Sequence, residues 1–219
     1  MTVTRRPGPR ADVDVRPLLL ETAEKMFAAS SPDAVAMRAI TREAGVAPGA
    51  LYYHFESKEA LVAAVLQTRS KSVAVRTSEL LTNLIGAETP STARQLVTAI
   101  LQPFLEILAD DPIRGLRWIK FFVRLGLDQD PIWLAELGDD PSLTDLFLKV
   151  AADALPDIDD AQVQQRCSIA MFTMLSVLMT IDAPIYAGVL GPRGIDPQFA
   201  EQLIAFTSSG LVGPSLPRG

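Results

Sequence analysis

Apolar residues in this chain recur three or four positions apart, and no segment alternates apolar with polar as a half-buried strand would. That periodicity predicts an all-α chain. Leu19, Leu20, Ala23, Met26 and Phe27 form the first stripe, with Glu21, Glu24 and Lys25 expected on the wet side. One long helix is predicted over 57–86, stopping at Gly86. STARQLVTAILQPFLEILADD follows, where the interior Pro103 removes a backbone hydrogen bond and is expected to bend the helix. PIRGLRWIKFFVRLGLD, PSLTDLFLKVAADALPD, DDAQVQQRCSIAMFTMLSVLMTID and DPQFAEQLIAFTSSGLV complete the series, the last after a proline- and glycine-rich loop at 184–197.

The stretch RAITREAGVAPGALYYHFESK at 38–58 reads as two short helices around a tight corner. Gly45 lets the first leave through a left-handed conformation without steric cost, so it stops near Ala44. Pro48 sits where a first helical residue loses no useful N–H, which starts a second helix near Pro48 that ends about Phe55. Leu51 and Phe55, spaced i,i+4, form its buried face and leave Gly49, Ala50, Tyr53 and His54 on other faces. Small residues there let the helix approach a duplex closely. Tyr52 and Tyr53 read equally as half-buried aromatics or as phosphate or base contacts. Ser57 suits the N-cap of a further helix opening at Lys58, whose ammonium is then within reach of phosphate. A helix–helix corner alone is weak evidence for DNA binding.

The run AGVAPGALYYHFESKEAL, with LLLETAEKMF at 18–27 and Met37-Arg38-x-Ile40 upstream, resembles the signature of the tetracycline-repressor family of bacterial transcription regulators over about 50 residues. The resemblance implies an N-terminal three-helix helix-turn-helix DNA-binding domain, a larger helical bundle for ligand binding and dimerisation, and release from a palindromic operator when a small molecule binds. It also places Met37, Arg38, Gly49, Ala50, Tyr52, Tyr53, His54 and Lys58 where the family meets DNA. Family members usually carry Thr or Ser where this chain has Ala36 and Ala47, the expected caps of the two groove-facing helices. Losing a capping side chain costs about 0.5–2 kcal/mol. The head is therefore expected to fray slightly without DNA and to order on it.

Net charge is −6, from 20 basic and 26 acidic side chains. Residues 1–60 carry 8 of each, so the whole excess falls in the remainder. Arg5, Arg6, Arg10, Arg38, Arg42 and Lys58 are candidates for a local positive surface on the head. The expected division is a flexible basic arm at 1–14, the DNA-binding domain at 15–60, an effector-binding and dimerisation domain at 61–214, and a flexible tail at 215–219. The arm reads either as reaching a minor groove or as sequence without a role.

The second domain is rich in large apolar residues. Phe104, Leu108, Trp118, Phe121, Phe122, Trp133 and Phe147 read mostly as packed core, yet a helical bundle lined by aromatics is also a usual place for a small-molecule site. Arg117, Lys120 and Arg124 flank that face, and Arg117 is carried with the aromatics as a ligand candidate, the expected ligand being a small, largely hydrophobic effector. The uncharged stretch CSIAMFTMLSVLMTI is too short and too interrupted for a membrane span. A helix apolar nearly all round must be buried on more than one side, which suggests a homodimer seam with Met171, Met174, Leu178 and Phe206 as candidates.

No signal peptide is read at the start of the chain, and the lone Cys167 fits a reducing cytoplasm as a buried, inert thiol. The one histidine, His54, has no histidine or cysteine nearby, so no metal site and no cofactor are expected. An enzyme needs a nucleophile with a base or perturbed carboxylates. The Asp pairs at 110–111, 139–140 and 159–160 fall at helix ends, where they cap or face water, so no catalytic residue is assigned. A helical scaffold without DNA binding would explain the bundle but not the run from Ala44 to Lys58. An activator of the same fold remains open beside a repressor, since the sign depends on where the operator lies.

Overall fold

In the computed structural model, which describes residues 14–138 and 141–214, the chain divides into two compact units, one ending at Val65 and one beginning at Leu66. The basic arm, including Arg5, Arg6 and Arg10, the tail at 215–219, and Asp139 and Asp140 lie outside the described residues, Asp14 excepted.

The first unit contains α1 (Val15–Ala29), a 3-10 turn at Pro32–Ala34, α2 (Met37–Glu43) and α3 (Pro48–His54), with most of α4 (Lys58–Leu66). Leu19, Ala23, Phe27, Ile40, Leu51, Leu61 and Val65 are fully enclosed. Each such Leu, Ile or Phe contributes about 1.5–3 kcal/mol by leaving water, which holds three short helices that would not persist alone. Glu24, expected on the wet side, is only 2 % exposed. It shares an i,i+4 row with the buried Ala28, because α1 is covered on more than one face.

The second unit contains α5 (Ser70–Ile85), α6 (Ala93–Asp110), α7 (Pro112–Leu127), α8 (Pro131–Gly138), α9 (Pro141–Ala154), α10 (Asp160–Met179) and α11 (Pro197–Leu211). The long helix predicted over 57–86 is in fact two, parted by a turn at residues 67–69. The cause is a diverted acceptor: Trp118 Nε1 donates to the Leu66 carbonyl at 3.1 Å, and the Arg69 N–H bonds that carbonyl as well at 3.4 Å. Ser70, the first residue of α5, gives its hydroxyl to Glu136 at 2.5 Å. α6 runs unbroken through the buried Pro103. Thr92 and Gln95 open α6 with a reciprocal capping box, while Asp111, Asp159 and Asp196 cap α7, α10 and α11. The loop at 184–197 holds a two-residue antiparallel ladder, β1 (Leu190–Gly191) with β2 (Gly194–Ile195), too short to alter the all-α class. No helix among the described residues is long and apolar enough to cross a membrane.

Candidate nucleic-acid interface

The corner between α2 and α3 is built by one glycine. Gly45 has φ +68°, its N–H bonds the Arg42 carbonyl at 3.2 Å, and the Val46 N–H reaches back to the Thr41 carbonyl at 3.0 Å. This pair of bonds is the Schellman motif, and it satisfies carbonyls that the end of α2 leaves open. Space is not the constraint, since a Cβ at Gly45 would meet nothing within 4 Å. The positive φ is.

Val46 and Ala47 then lead directly into α3. Leu51 and Phe55 turn inward at 0 % and 4 % exposure, as the i,i+4 spacing requires, and the opposite face is open. Tyr52 is 57 % and Tyr53 86 % exposed, which resolves the sequence ambiguity against half-buried packing. The Tyr53 ring stands edge-on to His54 at 5.1 Å. A Cβ at Gly49 would meet nothing within 4 Å, so the first turn of α3 offers bare backbone. On α2, Arg38 and Arg42 are exposed one turn apart, while Met37 is half-buried.

Neither α2 nor α3 has a side-chain cap: Ala36 and Ala47 occupy the extended cap positions without a hydroxyl or carboxylate to offer. Ser57 does cap α4, its Oγ accepting from the Ala60 N–H at 3.1 Å. Lys58 is less free than the sequence suggests, because its Nζ donates to the Asp33 carbonyl at 3.1 Å and so ties α4 to the 3-10 turn. Two further contacts stiffen the unit. Arg16 lies over the Phe55 ring at 5.3 Å, and Lys25 donates to Glu43 at 2.9 Å, holding the Glu43 carboxyl below its ordinary value.

In the second unit the candidate ligand residues separate into groups. Phe104, Trp118, Phe122 and Trp133 are buried and form one aromatic cluster, with Phe122 stacked on Trp118 at 5.0 Å and meeting Phe104 and Trp133 at 5.8 Å each. Leu108 and Phe121 are fully buried. Trp118 already uses its one polar atom on Leu66. Arg117 is half-buried, and Lys120 is held by Asp182 at 2.6 Å. Phe147 is elsewhere, lining a small cavity of about 20 Å³ with Leu96, Val97, Cys167, Met171 and Thr207. Burial pushes the Cys167 thiol up to about 11.

Two of the four seam candidates require correction. Met174 and Leu178 are 2 % and 0 % exposed within their own chain, Met174 facing Leu96, Val97 and Phe147 across the small cavity. Such residues are not available to a partner. The outward face of α10 and α11 instead presents Ile169 and Phe206, 67 % and 72 % exposed, around a groove of about 150 Å³ that Thr173 and Gly210 also line. Met171 is half-buried.

Sequence reasoning missed α8 and the polar knot beneath it, where Glu136 accepts from Gln67 at 3.1 Å as well as from Ser70. Asp130 followed by Pro131 is a legible cap and first turn, and Asp130 does cap α8 through the Ile132 N–H at 2.8 Å. No sequence signal pairs Glu136 with residues some 66 positions away.

Residues 19–65 match the family model described as bacterial regulatory proteins, tetR family. Sixty residues are 37 % identical to the HTH-type transcriptional regulator UidR of Escherichia coli K12, a stretch covering 27 % of this chain and 31 % of that protein. The match thus spans about a third of the length of the curated relatives. Across the whole chain the fold resembles a TetR-family transcriptional regulator from Bordetella parapertussis 12822, with TM-score 0.64, 18 % identity, and coverage of 90 % of this chain and 95 % of that one. It also resembles Mycobacterium smegmatis AmtR, with TM-score 0.58, 15 % identity, and coverage of 96 % and 91 %. At those identities the likeness is one of fold: an N-terminal helix-turn-helix unit followed by a helical unit.

Proposed function

We propose, from an N-terminal domain that belongs to the tetR family of bacterial regulatory proteins, that this chain is a transcriptional regulator that binds a palindromic operator as a homodimer. The observation that carries the reading is the open face of α3. A core helix has no reason to leave Tyr53 86 % exposed beside Tyr52, with bare backbone at Gly49 one turn earlier. A helix placed against a duplex does, because aromatic hydroxyls and open N–H groups meet phosphate oxygens there.

Dimerisation is supported by the chemistry of the outer α10–α11 face. Its exposed residues Gln165, Ser168, Ile169, Thr173, Gln202, Phe206 and Ser209 are all uncharged in a chain of net charge −6. Across a two-fold axis a surface meets its own copy, so a charge close to the axis meets a like charge. Arg166, which also lines the groove, is half-buried and spends its guanidinium on the Leu211, Gly213 and Pro214 carbonyls, so two exposed large apolar residues among uncharged ones suit that geometry. In the repressor reading, a largely hydrophobic effector in the second unit releases the operator.

Fluorescence anisotropy with the full chain and labelled duplexes, at two salt concentrations, tests the reading. Sequence-dependent binding that weakens steeply with salt supports it. A folded chain that binds no duplex at low salt refutes it in favour of a scaffold.

A further inference from the structure

The chain has two tryptophans, both in the aromatic cluster of the second unit and both buried, at 0 % for Trp118 and 6 % for Trp133. They are treated differently. Trp118 places its indole N–H on the Leu66 carbonyl at 3.1 Å, whereas the Trp133 N–H has no hydrogen-bond partner among the described residues. A buried tryptophan N–H normally finds an acceptor, and leaving one unsatisfied is costly. A second cost falls at the same place. Gly126 lies in the last turn of α7, one turn after Phe122, and a Cβ there would stand 2.9 Å from Trp133 Cζ2 and 3.0 Å from Cε2. Glycine is a weak helix former, and at this helix end its missing Cβ lets an indole with an idle donor come close to α7. Two local sacrifices at one side chain mark a site kept for binding rather than for stability.

We infer that Trp133 Nε1 is the polar contact for the effector, and that the effector is a mainly apolar molecule carrying a neutral acceptor oxygen such as a ketone or ester carbonyl. The inference rests on the effector-binding reading above and names its ligand class. Phe122 meets the indole edge-on at 5.8 Å and Phe172 lies tilted at 6.5 Å, so aromatic rings flank the indole that carries the donor. Neutrality follows from the surroundings. Phe122 and Phe172 flank the indole with apolar rings, where a carboxylate would be desolvated without compensation.

The experiment uses the full chain and three matched pairs of probes: 2-decanone with decane, acetophenone with ethylbenzene, and cyclododecanone with cyclododecane. Affinities are measured on wild type and on Trp133→Phe, which keeps an aromatic ring and removes the donor. For at least one pair, the ketone-to-hydrocarbon affinity ratio is expected to fall about tenfold in the variant. The indole ¹⁵N–¹H resonances of the wild type give a second readout independent of whether the variant folds. The ketone should move the Trp133 signal downfield while its hydrocarbon does not, with Trp118 as internal control. An unchanged ratio with an unmoved resonance, or binding of neither member of any pair, overturns the proposal. No DNA enters the assay, so its failure is distinguishable from failure of the operator-binding reading.

Discussion

The two uncapped helices of the head give a quantitative test of how that unit is held. Ala36 already has the extended backbone of an N-cap, φ −78° and ψ 138°, and the Ala39 N–H already closes on its carbonyl at 2.8 Å. The side chain is exposed, so Ala36→Ser adds a hydroxyl at the cap position, from which it can accept from the Arg38 N–H or share that of Ala39. A cap of this kind contributes about 1 kcal/mol, which corresponds to roughly a fivefold reduction in local opening. Hydrogen–deuterium exchange of the free protein should therefore slow about fivefold at residues 37–44, with α6 unaffected. Bound to DNA, wild type and variant should exchange alike there, since contact with the duplex orders the helix in both. If residues 37–44 of the wild type already exchange as slowly as α6, and Ala36→Ser changes nothing, then the missing caps do not loosen the head.

Gly45→Ala should destabilise the first unit by about 1 kcal/mol through backbone strain alone, read as a lower denaturation midpoint, because the site is open but φ is +68°. Gln129 occupies the equivalent position after α7 with φ 51°, so Gln129→Gly should raise stability by about 1 kcal/mol, or roughly 2–4 °C in a thermal melt. Gly126→Ala should destabilise by about 1–3 kcal/mol despite alanine's better helix propensity, since its methyl is driven into Trp133. The Cys167 thiol is raised from 9.0 to about 11, so its contribution is complete below pH 9 and is lost as pH climbs to about 11. Stability curves of wild type and Cys167→Ala should diverge over that window and run parallel below it.

How much of this was legible beforehand divides along physical lines. The α2–α3 corner was, because Gly45 and Pro48 act locally: one requires a left-handed residue and the other cannot continue an incoming helix. The inward face of α3 was legible from the spacing of Leu51 and Phe55. The break between α4 and α5 was not, since it depends on a bond from Trp118, 52 positions away, to a carbonyl that carries no sequence signature. Glu24 and the pair Met174 and Leu178 failed for a related reason. Periodicity says that a face is apolar or polar but not which neighbour covers it, and two of the three candidates on α10 are buried within their own chain. The assignment of Lys58 to phosphate meets a competing acceptor in the Asp33 carbonyl, again a contact across the fold.

On the function proposed above, α3 reads operator sequence in a symmetric pair of heads. Selection of bound duplexes from a random pool by the full chain tests it most directly, run in parallel with Tyr52→Ala. Wild type is expected to enrich a palindrome whose half-sites lie about one helical turn or a multiple apart, and the variant a relaxed or altered half-site of the same spacing. Enrichment of no motif by a chain that remains folded, or of an identical motif by wild type and by variants at Tyr52, Tyr53 and Ala50, would contradict it.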